Sequence, residues 1–245
     1  MNKAKISVCM ATYNGAKYIK EQLQSILPQL KENDEVIISD DGSTDETLPL
    51  IESFADKRIK IYHHKKRNTK FHLDNSTHNF ENALKLCTGD IIFLSDQDDV
   101  WLPKKIELMV NGLKDAMLVV SDCKLVDNEL KIIHPSYFEQ NGVHEGIINN
   151  FIRYTLVGCC MAFRRELLNK ALPFPPTKVG HDLWLAFMAY HYYNVGLIRE
   201  PLMLFRRHGN NVTPCGSKSS YSLVFKINYR CVIMWAFLKR VCFGK

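Results

Sequence analysis

The chain has 245 residues, of which 46% are hydrophobic and 24% are charged. This composition excludes an intrinsically disordered chain, and the length suits one large α/β domain or two small ones. The formal net charge of +6 is a mild basic excess. Such an excess fits nucleic acid, an anionic membrane or a phosphorylated substrate as a partner.

Eight cysteines are spread along the chain without any C-x-x-C pair, which excludes the common zinc and redox motifs. We interpret them as reduced thiols of a cytoplasmic protein, most of them buried. The chain opens on an apolar strand pattern and has no run of about 20 apolar residues. We therefore expect neither a signal peptide nor a membrane span.

Short apolar runs alternate with helical patterns in the first half of the chain. Strands and helices that alternate in this way form parallel βαβ units, so we predict an α/β fold with a mostly parallel central sheet flanked by helices. Ser43 or Thr44 is the expected cap of the second helix. The predicted strands are 6–11, 35–39, 59–62, 90–94 and 118–121, and the predicted helices are 18–30, 44–54, 80–86 and one from Pro103.

The second half of the chain is less regular. Its pattern predicts a loop over 137–150, a helix over 182–191 and strands over 195–198 and 203–205. Residues 221–245 alternate large apolar and basic side chains, which is typical of a basic amphipathic helix. Such a helix can lie on an anionic membrane or pack on the core. Its basic residues are interleaved with apolar ones and no nucleic-acid motif is present, so we exclude nucleic acid as a partner.

Polar side chains follow three of the predicted parallel strands. Ligands of such sheets bind beyond the carboxyl ends of the strands, so these side chains predict an active site at that edge. The residues are Thr12, Tyr13 and Asn14 after the first strand, Asp40 and Asp41 after the second, and Asp96, Gln97, Asp98 and Asp99 after the fourth.

The last of these clusters places three carboxylates within four residues. Their repulsion is relieved if a hard divalent ion such as Mg²⁺ or Mn²⁺ binds there and a diphosphate completes its ligand shell. The alternative is a solvated acidic turn in which Asp99 caps the helix near Pro103. Asp40 and Asp41 have two interpretations as well: they can hold a base or ribose, or they can form a turn and helix cap.

Taken together, these segments resemble the family 2 glycosyltransferases, which have the GT-A fold. The order and spacing of three motifs match the family: SVCMATYN at 7–14, ISDDGSTD at 38–45 and TGDIIFLSDQDDVW at 88–101. The resemblance implies a Rossmann-like domain over 1–215, with a nucleotide-binding half to about residue 120 and an acceptor half over 121–215. The basic tail over 216–245 follows.

The resemblance also implies roles for individual positions. Thr12, Tyr13, Asn14 and Gln97 would line the nucleotide site, and Asp40 or Asp41 would hold the base. Asp96 and Asp98 match the metal and diphosphate motif, with Asp98 as the direct ligand of Mn²⁺ or Mg²⁺ and Asp96 at both the ion and the nucleotide.

The acceptor half resembles the family at two further places. Asp182, at the start of a predicted helix, matches the catalytic base, although His181 stands where the family commonly has Glu; the alternative is that Asp182 caps the helix. His208 would be a further metal ligand, and Arg206, Arg207 and Trp184 would face the diphosphate or the acceptor. The alternative for 206–211 is a solvated basic loop. The Gln-x-x-Arg-Trp motif of processive relatives is absent.

The residue sequence of the third motif most resembles rhamnosyl- and hexosyltransferases of cell-surface polysaccharide assembly. The resemblance implies inverting transfer from a dTDP-rhamnose or UDP-hexose type of donor to a saccharide or lipid-linked saccharide, at the inner face of the cell membrane. Because such acceptors are usually lipid-linked, it also slightly favours a membrane surface as the partner of the basic tail. The other hypothesis is a catalytically degenerate scaffold that binds nucleotide sugars, which the departure at His181 leaves open. No feature of the sequence specifies an oligomeric state.

Overall fold

The strands form one sheet. A computed structural model describes residues 4–65, 72–176, 179–208 and 223–244. Within these ranges the sheet has nine strands in the order β3-β2-β1-β4-β8-β6-β9-β5, with β7 paired to β6. The strands are β1 (Ile6–Thr12), β2 (Glu35–Asp40), β3 (Ile59–His63), β4 (Ile91–Ser95), β5 (Val100–Trp101), β6 (Leu118–Val126), β7 (Ile132–His134), β8 (Met161–Arg164) and β9 (Val195–Arg206).

Helices flank this sheet. They are α1 (Ile19–Ile26), α2 (Thr47–Glu52), α3 (His72–Leu86), α4 (Lys105–Gly112), α5 (Tyr137–Asn141), α6 (Ile147–Ile152), α7 (Leu168–Ala171), α8 (His181–Tyr192) and α9 (Leu223–Phe243).

The direction of the strands decides where polar side chains collect. β1, β2, β3 and β4 are parallel, and β6 is parallel to β9. β8 runs antiparallel between β4 and β6. Because β8 is antiparallel to both of its neighbours, β6 runs in the same direction as β4. The carboxyl ends of β1, β2, β4, β6 and β9 therefore lie at one edge of the sheet. This architecture confirms the predicted α/β fold with a mostly parallel sheet flanked by helices.

The core lies on both faces of the sheet. β2 and β4 are buried at every position, which is typical of parallel strands covered by helices on each side. α8 is buried around most of its circumference, including Trp184, Leu185 and Phe187. A helix that is apolar on all sides belongs to the interior, so the first turn of α8 has a rigid support.

Gly89, in the third sequence motif, lies directly against β1. A Cβ atom at this position would be 2.6 Å from the backbone nitrogen of Ser7, and the Gly89 N–H donates to Ser7 Oγ at 2.8 Å. Only a glycine permits this approach of two backbones. The contact sets β4 beside β1 and thereby places the acidic motif next to the end of β1.

The structure corrects several predicted elements. The segment 137–150 is not a loop, because α5 and most of α6 lie there; β5 and β7 were not predicted, and 195–198 and 203–205 belong to the single strand β9. Pro201 lies within β9, where a register shift against β6 accommodates it. α2 begins at Thr47 rather than Thr44, since the Ser43 hydroxyl donates to Asp40 at 2.6 Å and caps no helix.

The C-terminal helix α9 is docked on the core. Ile233 and Ala236 are buried, and the Phe237 ring meets the Phe187 ring edge-on at 6.1 Å. Arg230 donates to the carbonyl of Ile152 at 2.5 Å, and Arg240 donates to the carbonyl of Lys170 at 2.8 Å. The tail thus packs on the domain, while its outer side remains open to solvent.

Two further points concern the tail. None of the helices in the described ranges has both the length and the apolar character that crossing a bilayer requires. The predicted boundary between domain and tail, at residues 215 and 216, lies outside the described residues.

Candidate active site

Asp40 ends β2, and its carboxylate is engaged on both oxygens. Oδ2 accepts hydrogen bonds from Thr12 Oγ1 at 2.8 Å and Ser43 Oγ at 2.6 Å. Oδ1 accepts from the backbone N–H groups of Gly42 at 3.0 Å and Ser43 at 2.7 Å. The side chain is fully buried. Asp40 and Thr12 therefore fix the loop after β2 from the inside.

Asp41 stands beside this loop and contacts a histidine. Its Oδ1 lies 2.6 Å from Nδ1 of His64, and its backbone N–H donates to the carbonyl of Thr12 at 3.0 Å. His64 was not predicted as a site residue. Its position shortly after the third predicted strand, at the edge where ligands bind, could have indicated that it belongs to the site.

The loop after β1 is tied to the acidic motif by Gln97. The Gln97 amide accepts from the Tyr13 N–H at 3.0 Å and donates to the Tyr13 carbonyl at 3.1 Å. A Cβ atom on Gly15 would lie 2.3 Å from Gln97 Oε1, so any other residue there would displace the Gln97 amide from its place. Asn14 has φ 49° and accepts from the Thr44 N–H at 2.9 Å. These bonds hold the loop while the Tyr13 ring remains 42% exposed.

Asp98 and His208 are brought together from the two halves of the chain. His208 Nε2 lies 2.8 Å from Asp98 Oδ2. The imidazole stacks on the Tyr18 ring, with centroids 5.0 Å apart and planes 16° apart, and the Tyr18 hydroxyl donates to Asn128 at 2.8 Å. A carboxylate oxygen and an imidazole nitrogen so placed form a suitable pair of ligands for a divalent ion.

Arg206 lies next to Asp98 and is only 2% exposed. Its guanidinium donates to the carbonyl of Asp98 at 2.9 Å and to that of Asn128 at 2.5 Å, and it pairs with Glu21. The same group lies 4.8 Å from the centre of the Tyr18 ring. In this structure Arg206 therefore positions the backbone of Asp98 from a buried location.

The carboxyl groups of the acidic motif differ in their surroundings. Burial, together with the charges of Asp98 and Asp182, raises the pKa of Asp96 to about 7. Burial and the neighbouring carboxylates also raise the pKa of Asp99 well above its usual value. Asp99 Oδ1 accepts from the backbone N–H of Arg206 at 3.0 Å. The alternative in which Asp99 caps α4 is therefore wrong, since Asp99 binds β9 instead.

Asp182 lies in the first turn of α8, beside the acidic motif. Burial raises its pKa to about 6, although the Leu183 N–H donates to it at 2.7 Å. The N-cap of α8 is Gly180 without a side-chain bond, so the alternative of Asp182 as a helix cap is wrong. A Cβ atom on Gly158 would lie 3.1 Å from Asp182 Cβ, which shows how closely the segment before β8 approaches this acid.

His181, which precedes Asp182, belongs to the core. Its ring stacks on Phe80 with centroids 4.0 Å apart, and burial lowers its pKa to about 3. The imidazole is therefore neutral at physiological pH. The position where the family commonly has a carboxylate carries no charge in this protein.

Two residues predicted to face the diphosphate or the acceptor have other contacts in the structure. Trp184 is fully buried, and its indole N–H donates to the carbonyl of Ala171 at 2.9 Å, so its side chain anchors α8. The Arg207 guanidinium lies 5.5 Å from the centre of the Phe205 ring at the end of β9.

Gln22 belongs to the site but was not identified from the sequence. It is fully buried on α1, and its amide donates to Ser95 Oγ at 2.7 Å and to the Asp96 carbonyl at 3.1 Å. The signal was a polar residue within the apolar stripe formed by Ile19, Leu23 and Ile26. Buried polar groups are hydrogen-bonded, and this amide holds the turn of the acidic motif.

Similar proteins are found among bacterial glycosyltransferases. The dTDP-rhamnosyl transferase RfbG of Shigella flexneri is 29% identical over 231 residues, or 89% of this chain and 77% of that protein. The UDP-Glc:alpha-D-GlcNAc-diphosphoundecaprenol beta-1,3-glucosyltransferase WfgD of Escherichia coli is 27% identical over 187 residues, or 75% of this chain and 69% of that protein.

Solved structures share the fold. S. aureus TarS in complex with UDP-GlcNAc superposes with a TM-score of 0.69 at 21% identity, over 93% of this chain and 66% of that one. The mannosyltransferase PcManGT of Pyrobaculum calidifontis, in complex with GDP-Man and Mn²⁺, gives a TM-score of 0.54 at 23% identity, over 82% of this chain and 56% of that one. The chain thus spans about two thirds or less of these solved proteins.

The family model described as glycosyl transferase family 2 matches residues 7–172. This match runs from β1, through the acidic motif and the segment that approaches Asp182, to the residue after α7. Since it covers well over half of the 245 residues, the chain belongs to glycosyl transferase family 2, and its fold is the GT-A fold.

Proposed function

We propose that this protein transfers a sugar from a nucleoside diphosphate donor to an acceptor hydroxyl, with inversion at the anomeric carbon. The observation that carries the proposal is the meeting of Asp182 with the acidic motif. The charges of Asp98 and Asp182 both act on Asp96, although these residues come from opposite halves of the chain. If the acidic motif binds the donor diphosphate and Asp182 is the base, the two would lie side by side.

Asp98, Asp96 and His208 would hold a divalent ion, Mn²⁺ or Mg²⁺. The contact between Asp98 and His208 supplies mixed oxygen and nitrogen ligands on one side, and Asp96 is the partly exposed carboxylate next to them. When bound, such an ion stabilises the negative charge of the leaving diphosphate. Arg206 contributes by holding the backbone of Asp98 in place.

The nucleotide would bind along the loops after β1 and β2. Gln97 and Asp40 fix these loops from within, with Thr12 and Asn14 as their partners. The exposed ring of Tyr13 offers a surface for the base. RfbG, by its name, uses a dTDP-activated rhamnose, and TarS binds UDP-GlcNAc. We therefore propose a dTDP-rhamnose or UDP-hexose type of donor, with Asp41 near the base.

Asp182 would accept the acceptor proton. In a single displacement, the acceptor oxygen forms a bond to the anomeric carbon while the bond from that carbon to the diphosphate oxygen breaks. The proton of the acceptor hydroxyl passes to the Asp182 carboxylate. A carboxylate whose pKa is about 6 is ionised at neutral pH and is a stronger base than an ordinary aspartate.

The acceptor we propose is a saccharide carried on a lipid, at the inner face of the cell membrane. WfgD names a diphosphoundecaprenol-linked acceptor. On this protein, α6 and α9 are joined by Arg230 and together expose large apolar side chains, which we call the α6–α9 face. The most exposed are Ile148 at 72%, Phe243 at 71%, Trp235 at 68%, Val224 at 68% and Ile152 at 60%.

An anionic bilayer is the partner that fits this face. Exposed apolar groups of this extent mark a binding surface, and tryptophan is favoured at membrane interfaces. Within 223–243 the chain has four basic residues, Lys226, Arg230, Lys239 and Arg240, and no acidic one. The charge of the helix is thus complementary to acidic lipid headgroups.

Nucleotide binding tests the donor site. Thermal unfolding is measured with UDP, dTDP, GDP and CMP, each with and without Mn²⁺. At about 100 times the Kd, the matching nucleotide stabilises the fold by about 2.7 kcal/mol. We expect Asp98→Asn to lose the part of the stabilisation that depends on Mn²⁺, and Glu52→Gln, an exposed residue of α2, to keep it. Stabilisation without any turnover of the sugar nucleotides would favour the degenerate scaffold instead.

Vesicle binding tests the α6–α9 face. We expect the protein to float with vesicles that contain phosphatidylglycerol and much less with pure phosphatidylcholine. The double substitution Ile152→Ser and Trp235→Ser should abolish flotation. The matched control is Ile132→Ser with Ile133→Ser, since these β7 residues are 53% and 55% exposed but lie on another element. Equal loss in both double variants, or no binding by the wild type, would reject the proposal.

A further inference from the structure

Asp96, Asp99 and Cys159 converge directly behind the proposed donor site. One potential ligand atom from each, two carboxylate oxygens and the thiol sulfur, all lie within 4.8 Å of one another. They reach this point from two segments of the chain, the turn after β4 and the short 3-10 helix over Gly158–Cys160. Asp99 and Cys159 are buried and Asp96 is partly exposed, so Asp96 is the member of the cluster that solvent reaches.

Asp99 is the independent reason to expect a ligand here. Its side chain is fully buried, and Oδ1 accepts from the Arg206 N–H at 3.0 Å. Oδ2 has no hydrogen-bond partner among the residues that the structure describes. Buried polar atoms are normally paired, because an unpaired one loses its hydration without replacement. Because an oxygen of this carboxylate lies within 4.8 Å of ligand atoms of Asp96 and Cys159, a cation bound among the three groups would pair it.

The buried cation of this region is directed elsewhere. Lys105 is fully buried, and its ammonium group donates to the carbonyl of Cys159 at 3.0 Å and to the sulfur of Met203 at 3.0 Å. It also lies 4.9 Å from the centre of the Trp101 ring. These contacts fix the backbone that carries the thiol, and they leave the ligand atoms of Asp99 and Cys159 available to an ion.

We propose that Asp96, Asp99 and Cys159 form a second cation site, specific for a thiophilic divalent ion such as Zn²⁺ or Co²⁺. A thiolate with carboxylate oxygens is a ligand set that such ions accept, whereas Mg²⁺ and Mn²⁺ prefer oxygen. On binding, the Cys159 thiol releases its proton to solvent and a sulfur–metal bond forms. This chemistry distinguishes the site from that of Asp98 and His208, which contains no sulfur.

The site would be inhibitory, and this consequence rests on the proposed function. Asp96 cannot serve the thiophilic ion and the donor complex with the same oxygens. An ion held behind the cleft therefore withdraws Asp96 from the donor. We expect Zn²⁺ to inhibit the reaction supported by Mn²⁺, and Cys159→Ser to raise the Zn²⁺ concentration needed for inhibition.

Cobalt absorption tests the site without any assay of activity. Purified full-length protein, reduced with a phosphine, is titrated with Co²⁺ alone. We expect a near-ultraviolet sulfur-to-cobalt charge-transfer band that saturates at one ion per chain. Cys159→Ser should remove the band, and Asp99→Asn, which keeps the Oδ1 acceptor for Arg206, should weaken it. Circular dichroism of both variants checks that they are folded.

Matched variants separate this proposal from the proposed function. Cys9→Ser, at another fully buried thiol on β1, should keep the band. Asp98→Asn should also keep it, even though that variant is expected to lose the Mn²⁺-dependent part of nucleotide binding. A band that disappears in Cys160→Ser or Cys123→Ser and persists in Cys159→Ser would overturn the assignment. So would the absence of any charge-transfer band in the folded wild-type protein.

Discussion

Substitution of Asp182 by Asn lowers kcat by about 10²- to 10⁴-fold, the usual contribution of a positioned general base. The amide keeps the size of the side chain and still accepts the Leu183 N–H bond, but it cannot take the acceptor proton. Nucleotide binding should be unchanged, since the role we propose for Asp182 is at the acceptor rather than the donor. Steady-state kinetics together with nucleotide-dependent melting measure the two effects separately.

The pH profile is a second readout of the same residue. In the free enzyme the pKa of Asp182 is about 6. The base must be ionised, so kcat/KM should rise with pH through about 6 and then level off. Glu139→Gln is a suitable control, because Glu139 is also an acid in the first turn of a helix but is exposed on α5. Full activity of Asp182→Asn, or an unchanged acidic limb in its residual rate, would remove Asp182 from the mechanism.

Substitution of Arg206 by Met destabilises the fold by about 3 kcal/mol, because hydrogen bonds of a buried charged group are lost and carbonyls remain unpaired. The carbonyls of Asp98 and Asn128 lose their donor, and Glu21 loses its partner. For a chain of this size the melting temperature should fall by roughly 6–12 °C. Chemical unfolding monitored by tryptophan fluorescence measures the change directly.

Arg199→Met provides the matched control for this prediction. Arg199 lies on the same strand β9 but is exposed to solvent. Its substitution should change the free energy of unfolding by no more than about 0.5 kcal/mol. If Arg206→Met is as stable as Arg199→Met, the guanidinium does not hold the turn of Asp98 as described. A folded Arg206→Met variant should also bind Mn²⁺ more weakly, since the Asp98 backbone is no longer fixed.

The parallel half of the sheet could be predicted from the sequence, because buried parallel strands are continuous apolar runs. The shorter elements could not be found by periodicity. β5 has two residues and α5 has five, which is less than the window in which a period is visible. For α5 the capping signal was present: the Ser136 hydroxyl accepts from the Glu139 N–H, and Gly142 ends the helix in the left-handed region.

The part of the site that lies at the ends of strands could be predicted from the sequence. The acids after β4 are indicated by their position after a buried strand, and Asp182 on α8 is indicated by the resemblance to the family. The contacts that position them were not, because they join residues far apart in the chain. Glu21 meets Arg206 and Gln22 meets Ser95 only after folding. Similarly, the approach of Cys159 to Asp99 depends on the pairing of β8 with β4, which joins distant parts of the chain.

The attachment of α9 has a consequence for how the proposed base would be presented to an acceptor. Tyr229 lies on α9 close to α8, and burial and the charge of Asp182 raise its pKa to about 12. The helix that exposes Trp235 therefore also reaches the surroundings of Asp182. If the α6–α9 face rests on a bilayer, the proposed base is held at a fixed distance from that surface, and only glycans whose reactive hydroxyl stands near that distance would be extended.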